Sequence, residues 1–212
     1  MKSKTRIEVG KMVQMAVLAA VIIIMAFTPL GLLPINLVLS LTLLPIPVAI
    51  GAIVCGPSAG AFLGGLFGIL MFLRGAFMGA DLGPLLFPLN PVAFTVVCIV
   101  PRILEGWLGG LIFKALHKID RTRVASYAVS GFATAALNTV LFMGGLMLLF
   151  WNTFVVGYAE KAGVSGGVAT VALFVLGGVA VQAAIEAVLC AVVSGAVSKV
   201  LVRFFPGRGK ES

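Results

Sequence analysis

The chain has 212 residues, of which 61% are apolar and only 10% are charged, and its formal net charge is +8. A soluble domain carries about 45–50% apolar and roughly 25% charged residues, and a globule of this size has too little interior to bury such an excess. The composition excludes an ordinary cytosolic enzyme, a disulfide-stapled secreted domain and a disordered chain. Most of the surface is therefore predicted to face lipid.

Apolar runs near the length of a spanning helix, about 20 residues, follow one another along the whole chain. They predict an all-α membrane protein that is one integral membrane domain over residues 1–212, a bundle of six transmembrane helices. The tight turn Gly56-Pro57 separates the second and third passes, and Pro45 and Pro47 predict an irregular start to the second. The predicted passes cover about residues 10–29, 37–55, 58–73, 91–116, 124–151 and 168–203.

The positions of the cations predict the topology. Most of the 15 Lys and Arg residues lie in three clusters, at the N-terminus, between the fourth and fifth passes, and at the C-terminus. Basic clusters that flank apolar runs mark the cytoplasmic side, so both termini are predicted to be cytoplasmic in a multi-pass protein of the bacterial cell membrane. The connections 31–36, 74–90 and 152–167 then face outward. No aromatic residues alternate with the cations, which argues against a nucleic-acid partner.

Several chemistries are excluded by missing motifs. The sequence has no GxxxxGK[ST] phosphate loop, so the chain does not hydrolyse ATP alone, and it has no HExxH motif. Its one histidine, His117, lies in a basic loop where a solvated side chain is expected. Its three cysteines lie in apolar runs without CxxC spacing, which indicates neither disulfides nor a metal site. No enzymatic activity, metal or cofactor is predicted.

Ionisable groups inside the passes are costly and suggest function by default. Arg102 lies midway along the fourth pass, Glu105 follows at i+3 on the same helix face, and Glu186 lies within the sixth pass. A structural role is favoured for the two carboxylates. Arg102 belongs either to an internal ion pair or to a pocket for an anionic ligand, whose carboxylate its planar guanidinium would match.

Amide groups and outer-loop residues complete the candidate binding set. Asn138, in the fifth pass, either ties helices together or contacts polar groups of a ligand. Asn36, Arg74 and Asn90 belong to the predicted outer connections, where a soluble ligand would arrive first.

Small residues form two stripes at i, i+4 spacing, which permits close approach of helices. Gly60, Gly64 and Gly68 in the third pass predict internal packing. Ala16 and Ala20 in the first pass favour contact with an external partner.

Five short blocks resemble the substrate-binding S components of energy-coupling factor (ECF) vitamin transporters, most of all the pantothenate-type members. The blocks are IPVAIGAI at 46–53, GPSAGAFLG at 56–64, VPRIL at 100–104, LNTVL at 137–141 and AIEA at 184–187. The stretch 74–83 differs from the serine- and asparagine-rich loop expected of these members.

The resemblance implies a subunit that captures a water-soluble vitamin, pantothenate first, at the extracellular face for ATP-driven uptake. It implies that Arg102 and Asn138 bind the carboxylate and the amide or hydroxyl groups of the ligand. It also implies that Ala16 and Ala20 contact a transmembrane coupling protein, which works with two cytoplasmic ATPases. Two alternatives stay open, an S component for another vitamin such as folate and a free-standing proton-coupled secondary transporter that would use Glu105 or Glu186.

Overall fold

The computed structural model describes residues 2–28, 31–34, 40–80, 82–120, 125–162 and 168–204. These residues form helices in nearly every part and one short two-stranded antiparallel hairpin. In chain order the elements are α1 Lys2–Phe27, β1 Leu32–Pro34, β2 Ser40–Thr42, α2 Pro45–Cys55, α3 Pro57–Met78, α4 Gly83–Leu86, α5 Pro91–His117, α6 Ala125–Ala162 and α7 Val168–Phe204.

Five helical segments in the described part of the chain are long and apolar enough to cross a membrane. They are Val9–Phe27, Pro57–Met78, Pro91–His117, Ala125–Trp151 and Val179–Val202. This confirms the predicted helical membrane protein. The count of six passes stays a prediction, because α2 has only 11 residues. A helix of that length is about 16 Å long, against a hydrocarbon core of about 30 Å.

The predicted second pass, 37–55, is wrong for residues 40–42, and residues 37–39 lie outside the described residues. Residues 40–42 form β2, which pairs with β1 in the register Leu32↔Thr42, and the helix begins only at Pro45. Proline has no backbone N–H to continue a helix but fits its first turn well, where that N–H would have no partner. Two prolines, Pro45 and Pro47, therefore set the start of α2, and the extended segment β2 ends before them at Thr42.

Two glycines with positive φ end α2 and α3. Gly56 has φ 103° and lies between α2 and α3, which confirms the predicted tight turn. Gly79 has φ 64° and caps the end of α3 in the left-handed conformation that glycine adopts without strain. Because α3 continues to Met78, Arg74 lies on this helix and not in a connection as predicted, and α4 occupies part of that connection.

The long helix α6 contains a break close to the predicted end of the fifth pass. Phe150 has a non-helical backbone, with φ −136° and ψ 30°, next to the predicted end at Trp151. Helix resumes beyond it, so the predicted outer loop 152–167 is wrong for residues 152–162. Residues 163–167 lie outside the described residues.

One end of the bundle carries most of the non-helical structure. The term hairpin end is used below for residues 31–34, 40–44 and 82–90, which comprise the β-hairpin, α4 and the residues that lead into α5. At this end Leu86, Phe94, Val97, Leu146 and Phe150 pack together from α4, α5 and α6. One packed layer therefore joins the end of α3, the start of α5 and the break in α6.

Candidate functional site

Arg102 lies inside the bundle on α5, only 6% exposed. Its guanidinium carbon is 4.0 Å from the centroid of the Phe142 ring on α6 and 5.2 Å from that of Phe67 on α3. An arginine that stacks on an aromatic face keeps its donors in the plane of the guanidinium. Within the described residues, its Nε and Nη1 are buried without a hydrogen-bond partner. The stacked side chain therefore presents unused donors inside the bundle.

The glycine stripe of α3 sets the position of Arg102. A Cβ atom on Gly64 would lie 2.8 Å from the carbonyl carbon of Arg102, and one on Gly68 would lie 2.8 Å from the Cα of Ile99. A Cβ atom on Gly60 would likewise lie too close to the backbone of Gly106. Such contacts are open only to glycine, which confirms the predicted internal packing of the stripe. The backbone of α5 around Arg102 is thus held directly against α3.

Asn138 faces the same interior from α6. It is 5% exposed, and it lies four residues before Phe142, so the two side chains share one face of the helix. Its Oδ1 atom is buried, with no hydrogen-bond partner among the described residues. Arg102 and Asn138, which the sequence had singled out, thus both lie buried on helices α5 and α6, which pack against each other.

The two buried carboxylates differ in their partners. Glu186 on α7 is 4% exposed, and its Oε1 accepts hydrogen bonds from the Thr42 backbone N–H at 2.6 Å and from Gln182 Nε2 at 2.9 Å. Glu105 is fully buried, and both of its oxygens lack a partner in the described part of the chain. Both carboxylates act electrostatically on Arg102. Glu186 thus ties the hairpin to α7, in agreement with the structural role favoured for it, whereas the oxygens of Glu105 are unused.

Two of the other predicted binding residues, Arg74 and Asn90, lie near the hairpin end. Arg74 Nη1 donates to the carbonyl of Ala26, which joins α3 to the end of α1. Asn90 caps α5, since its Oδ1 accepts from the Ala93 N–H at 3.0 Å. Asn36 lies outside the described residues. For Arg74 and Asn90 the structure therefore shows a role in holding helix ends, and their contact with a ligand stays a prediction.

Ala16 and Ala20 are exposed on α1, whereas Ile22 and Ala26 on the same helix are fully buried. The stripe of small residues thus faces away from the bundle. This position leaves it open to another protein or to lipid.

A groove of about 480 Å³ runs between α6 and α7. Small and apolar side chains line it, with Thr139, Met143 and Ala183 among them, and neither Arg102 nor Asn138 contributes to it. Its apolar walls suit lipid tails and offer no charged group to a soluble ligand.

Sequence reasoning missed the two rings beside Arg102 and the hairpin contact of Glu186. Phe142 carried a usable signal, because it lies one helical turn from Asn138. Phe67 lies in an apolar run, and nothing in the run distinguishes it from its apolar neighbours. The contact between Thr42 and Glu186 joins residues 144 positions apart. No group of three metal-ligating side chains occurs among the described residues.

The bundle interior holds a cation, an amide and a carboxyl group, on Arg102, Asn138 and Glu105, and each has polar atoms without a hydrogen-bond partner among the described residues. In a bilayer such atoms cost several kcal/mol each unless they are satisfied. A bound polar solute would satisfy them, and the cation would favour an anionic one. The fold is that of a polytopic membrane protein, and its interior holds polar atoms without hydrogen-bond partners among the described residues.

Residues 10–198 match the family described as "ECF transporter, substrate-specific component". The chain therefore belongs to this family, which confirms the resemblance stated above. It is a transporter component of the cell membrane and not an enzyme.

Two similar proteins are a pantothenic acid transporter, PanT, of Lactococcus lactis subsp. cremoris and a pantothenate transporter, PanT, of Leuconostoc mesenteroides. The first is 33% identical over 120 residues, which is 53% of this chain and 59% of the relative. The second is 33% identical over 136 residues, which is 61% of this chain and 62% of the relative. The chain thus matches about three fifths of the length of each.

Proposed function

We propose that this chain is the pantothenate-binding S component of an ECF importer. It captures the vitamin from the extracellular side and delivers it inward when the ECF module hydrolyses ATP. Two similar proteins are named as pantothenate transporters, which supports the choice of substrate. The observation that carries the proposal is that Arg102 and Asn138 are both buried and both have polar atoms without a hydrogen-bond partner among the described residues.

The chemistry of the ligand fits these two side chains. Pantothenate carries a carboxylate at one end and hydroxyl groups at the other, with an amide between them. The in-plane donors of Arg102 would bind the carboxylate, while the Phe142 and Phe67 rings hold the guanidinium and exclude water from it. Asn138 Oδ1 would accept from an N–H or O–H group of the ligand. Asn36, Arg74 and Asn90 are proposed to line the entrance at the hairpin end.

The energy for transport is proposed to come from partner proteins. These are a transmembrane coupling protein and two cytoplasmic ATPases. The sequence lacks a phosphate-binding loop of its own. Ala16 and Ala20 leave a strip of small residues exposed on α1, which would let a helix of the coupling protein approach closely. With the termini in the cytoplasm, the hairpin end faces outward and receives the solute.

The binding test is Arg102→Ala in the purified full-length protein, with pantothenate affinity measured by calorimetry. Hydrogen bonds to a charged group contribute about 1.5–3 kcal/mol each, so the affinity should fall at least about tenfold. Val96→Ala, on the exposed side of α5, is the matched control and should bind normally. An Arg102→Ala variant with wild-type affinity and wild-type thermal stability would refute the assignment of Arg102.

Substrate and energy source need their own measurements. Mass spectrometry of small molecules that co-purify with the protein should detect pantothenate, and another vitamin in its place would contradict the substrate. In liposomes, uptake should require the coupling protein, both ATPases and ATP. Uptake by this chain alone under a pH gradient would support the secondary transporter instead.

A further inference from the structure

Glu105 is a buried carboxylate that no part of the proposed function uses. It lies one turn after Arg102 on α5, it is fully buried, and it is among the largest such side chains of the described residues. An ionisable group near the middle of a membrane-spanning helix is expensive to maintain. A carboxyl group at this position, beside the proposed binding arginine, is therefore expected to have a specific function.

A simple ion pair between Arg102 and Glu105 does not account for the geometry. The carboxylate acts electrostatically on Arg102, yet neither of its oxygens has a hydrogen-bond partner in the part of the chain that the structure describes. Arg102 Nε and Nη1 also lack partners there. A closed internal pair would instead satisfy donors and acceptors mutually, as paired buried charges need to do. Both side chains retain capacity for a third group.

Glu186 is a second buried carboxylate of the bundle, and its hydrogen-bonding capacity is used by the protein. Its Oε1 accepts from the Thr42 N–H and from Gln182, and it holds the hairpin to α7. Glu105 has no equivalent pair of donors among the described residues. The difference separates a carboxylate that ties secondary structure together from one whose oxygens are open to a ligand.

We infer that Glu105 binds the ligand directly and accepts hydrogen bonds from its hydroxyl or amide N–H groups. This inference rests on the proposed function of Arg102 as the site for the ligand carboxylate. Arg102 carries only donors, whereas the carboxyl group of Glu105 supplies acceptor oxygens. The site is therefore divided by polarity along α5, with Arg102 for the anionic end of the solute and Glu105 for its donor groups.

The division specifies the class of solute. A suitable ligand carries a carboxylate and, a few bonds away, at least one hydroxyl or N–H group. A simple monocarboxylate without such donors would leave the oxygens of Glu105 unsatisfied, and buried unsatisfied groups penalise binding strongly. Glu105 thus selects among anions that Arg102 alone would accept.

The test is a cycle of two protein forms and three ligands. Affinities of the wild type and of Glu105→Ala are measured for pantothenate and for its two analogues that each lack one hydroxyl group. In the wild type at least one analogue should bind about tenfold or more weakly than pantothenate, as expected for a lost hydrogen bond to a charged group. In Glu105→Ala that ratio should fall to near one. Ile103→Leu, on the exposed side of α5, is the control and should keep the wild-type ratio.

The outcomes separate the two proposals. If Glu105 serves only as a counter-ion of Arg102, Glu105→Ala weakens all three ligands equally and the ratio stays at its wild-type value, which overturns the inference. If the wild type does not bind pantothenate, the proposed function fails first. Glu105→Leu removes both acceptor oxygens and keeps a side chain of similar size, and it replaces Glu105→Ala if the latter does not fold. A ratio unchanged by Glu105→Leu then also overturns the inference.

Discussion

The contact between Gly64 on α3 and the backbone of Arg102 offers the sharpest structural test. A Cβ on Gly64 would lie 2.8 Å from the carbonyl carbon of Arg102 and closer still to its oxygen. Carbon atoms in contact are about 3.5–4.0 Å apart, so α3 and α5 would have to separate locally by about 1 Å. The neighbouring Gly65 is a matched control, because its Cβ would meet only the side chain of Ile103, at 3.4 Å.

Gly64→Ala and Gly65→Ala gain the same helix propensity, about 0.5–1 kcal/mol. Their difference therefore reports the contact alone, and forcing an extra methyl group into a packed interface costs about 1–3 kcal/mol. We expect Gly64→Ala to unfold at a lower temperature than Gly65→Ala in detergent. We also expect it to bind pantothenate about tenfold more weakly, a change of about 1.4 kcal/mol, because Arg102 moves with α5.

The readouts are a thermal-unfolding curve and a binding isotherm for each variant, recorded in the same detergent. Equal melting temperatures for Gly64→Ala and Gly65→Ala would show that the two helices are not in tight contact. A less stable Gly64→Ala variant with wild-type affinity would show that the contact stabilises the bundle without positioning Arg102.

Two further predictions concern surfaces of the bundle. Ala16→Leu and Ala20→Leu should leave pantothenate affinity unchanged but abolish co-purification with the coupling protein. Val13→Leu, on the exposed side of α1, is the control and should still co-purify. If both Ala16→Leu and Ala20→Leu still co-purify with the coupling protein, the proposed contact through these alanines is wrong. Glu186→Ala removes the acceptor of the Thr42 N–H, so the peptide containing Thr42 should exchange amide hydrogen faster, measured by mass spectrometry. Unchanged exchange would refute the tie between the hairpin and α7.

Local residue patterns were sufficient for many elements of the fold. Gly56, placed before a proline, predicted the turn between α2 and α3, and the glycine stripe predicted a close helix contact. These features depend on the conformational freedom and small size of glycine, which act over a few residues. The start of α2 was less well predicted, because hydropathy alone does not distinguish a helix from an extended apolar segment.

The candidate site was predicted only in part. Arg102 and Asn138 stood out because charged and amide groups are rare in membrane helices. Arg74 was assigned to a loop, but the helix continues past it to the left-handed Gly79 and directs its side chain to the carbonyl of Ala26. Asn90 was read as an entrance residue, yet its oxygen caps α5. A polar residue at a helix end has local partners available that composition does not reveal.

The sequence by itself determined that this protein is helical and embedded in lipid, because apolar content and the lengths of apolar runs are properties of composition and order. It also identified the arginine that lies inside the bundle. Only the tertiary structure decided which groups from other helices surround that arginine: the ring of Phe142 on α6, and the ring of Phe67 and the backbone of Gly64 on α3. These contacts join residues from three helices, and their pairing depends on packing across the bundle and not on spacing along the chain.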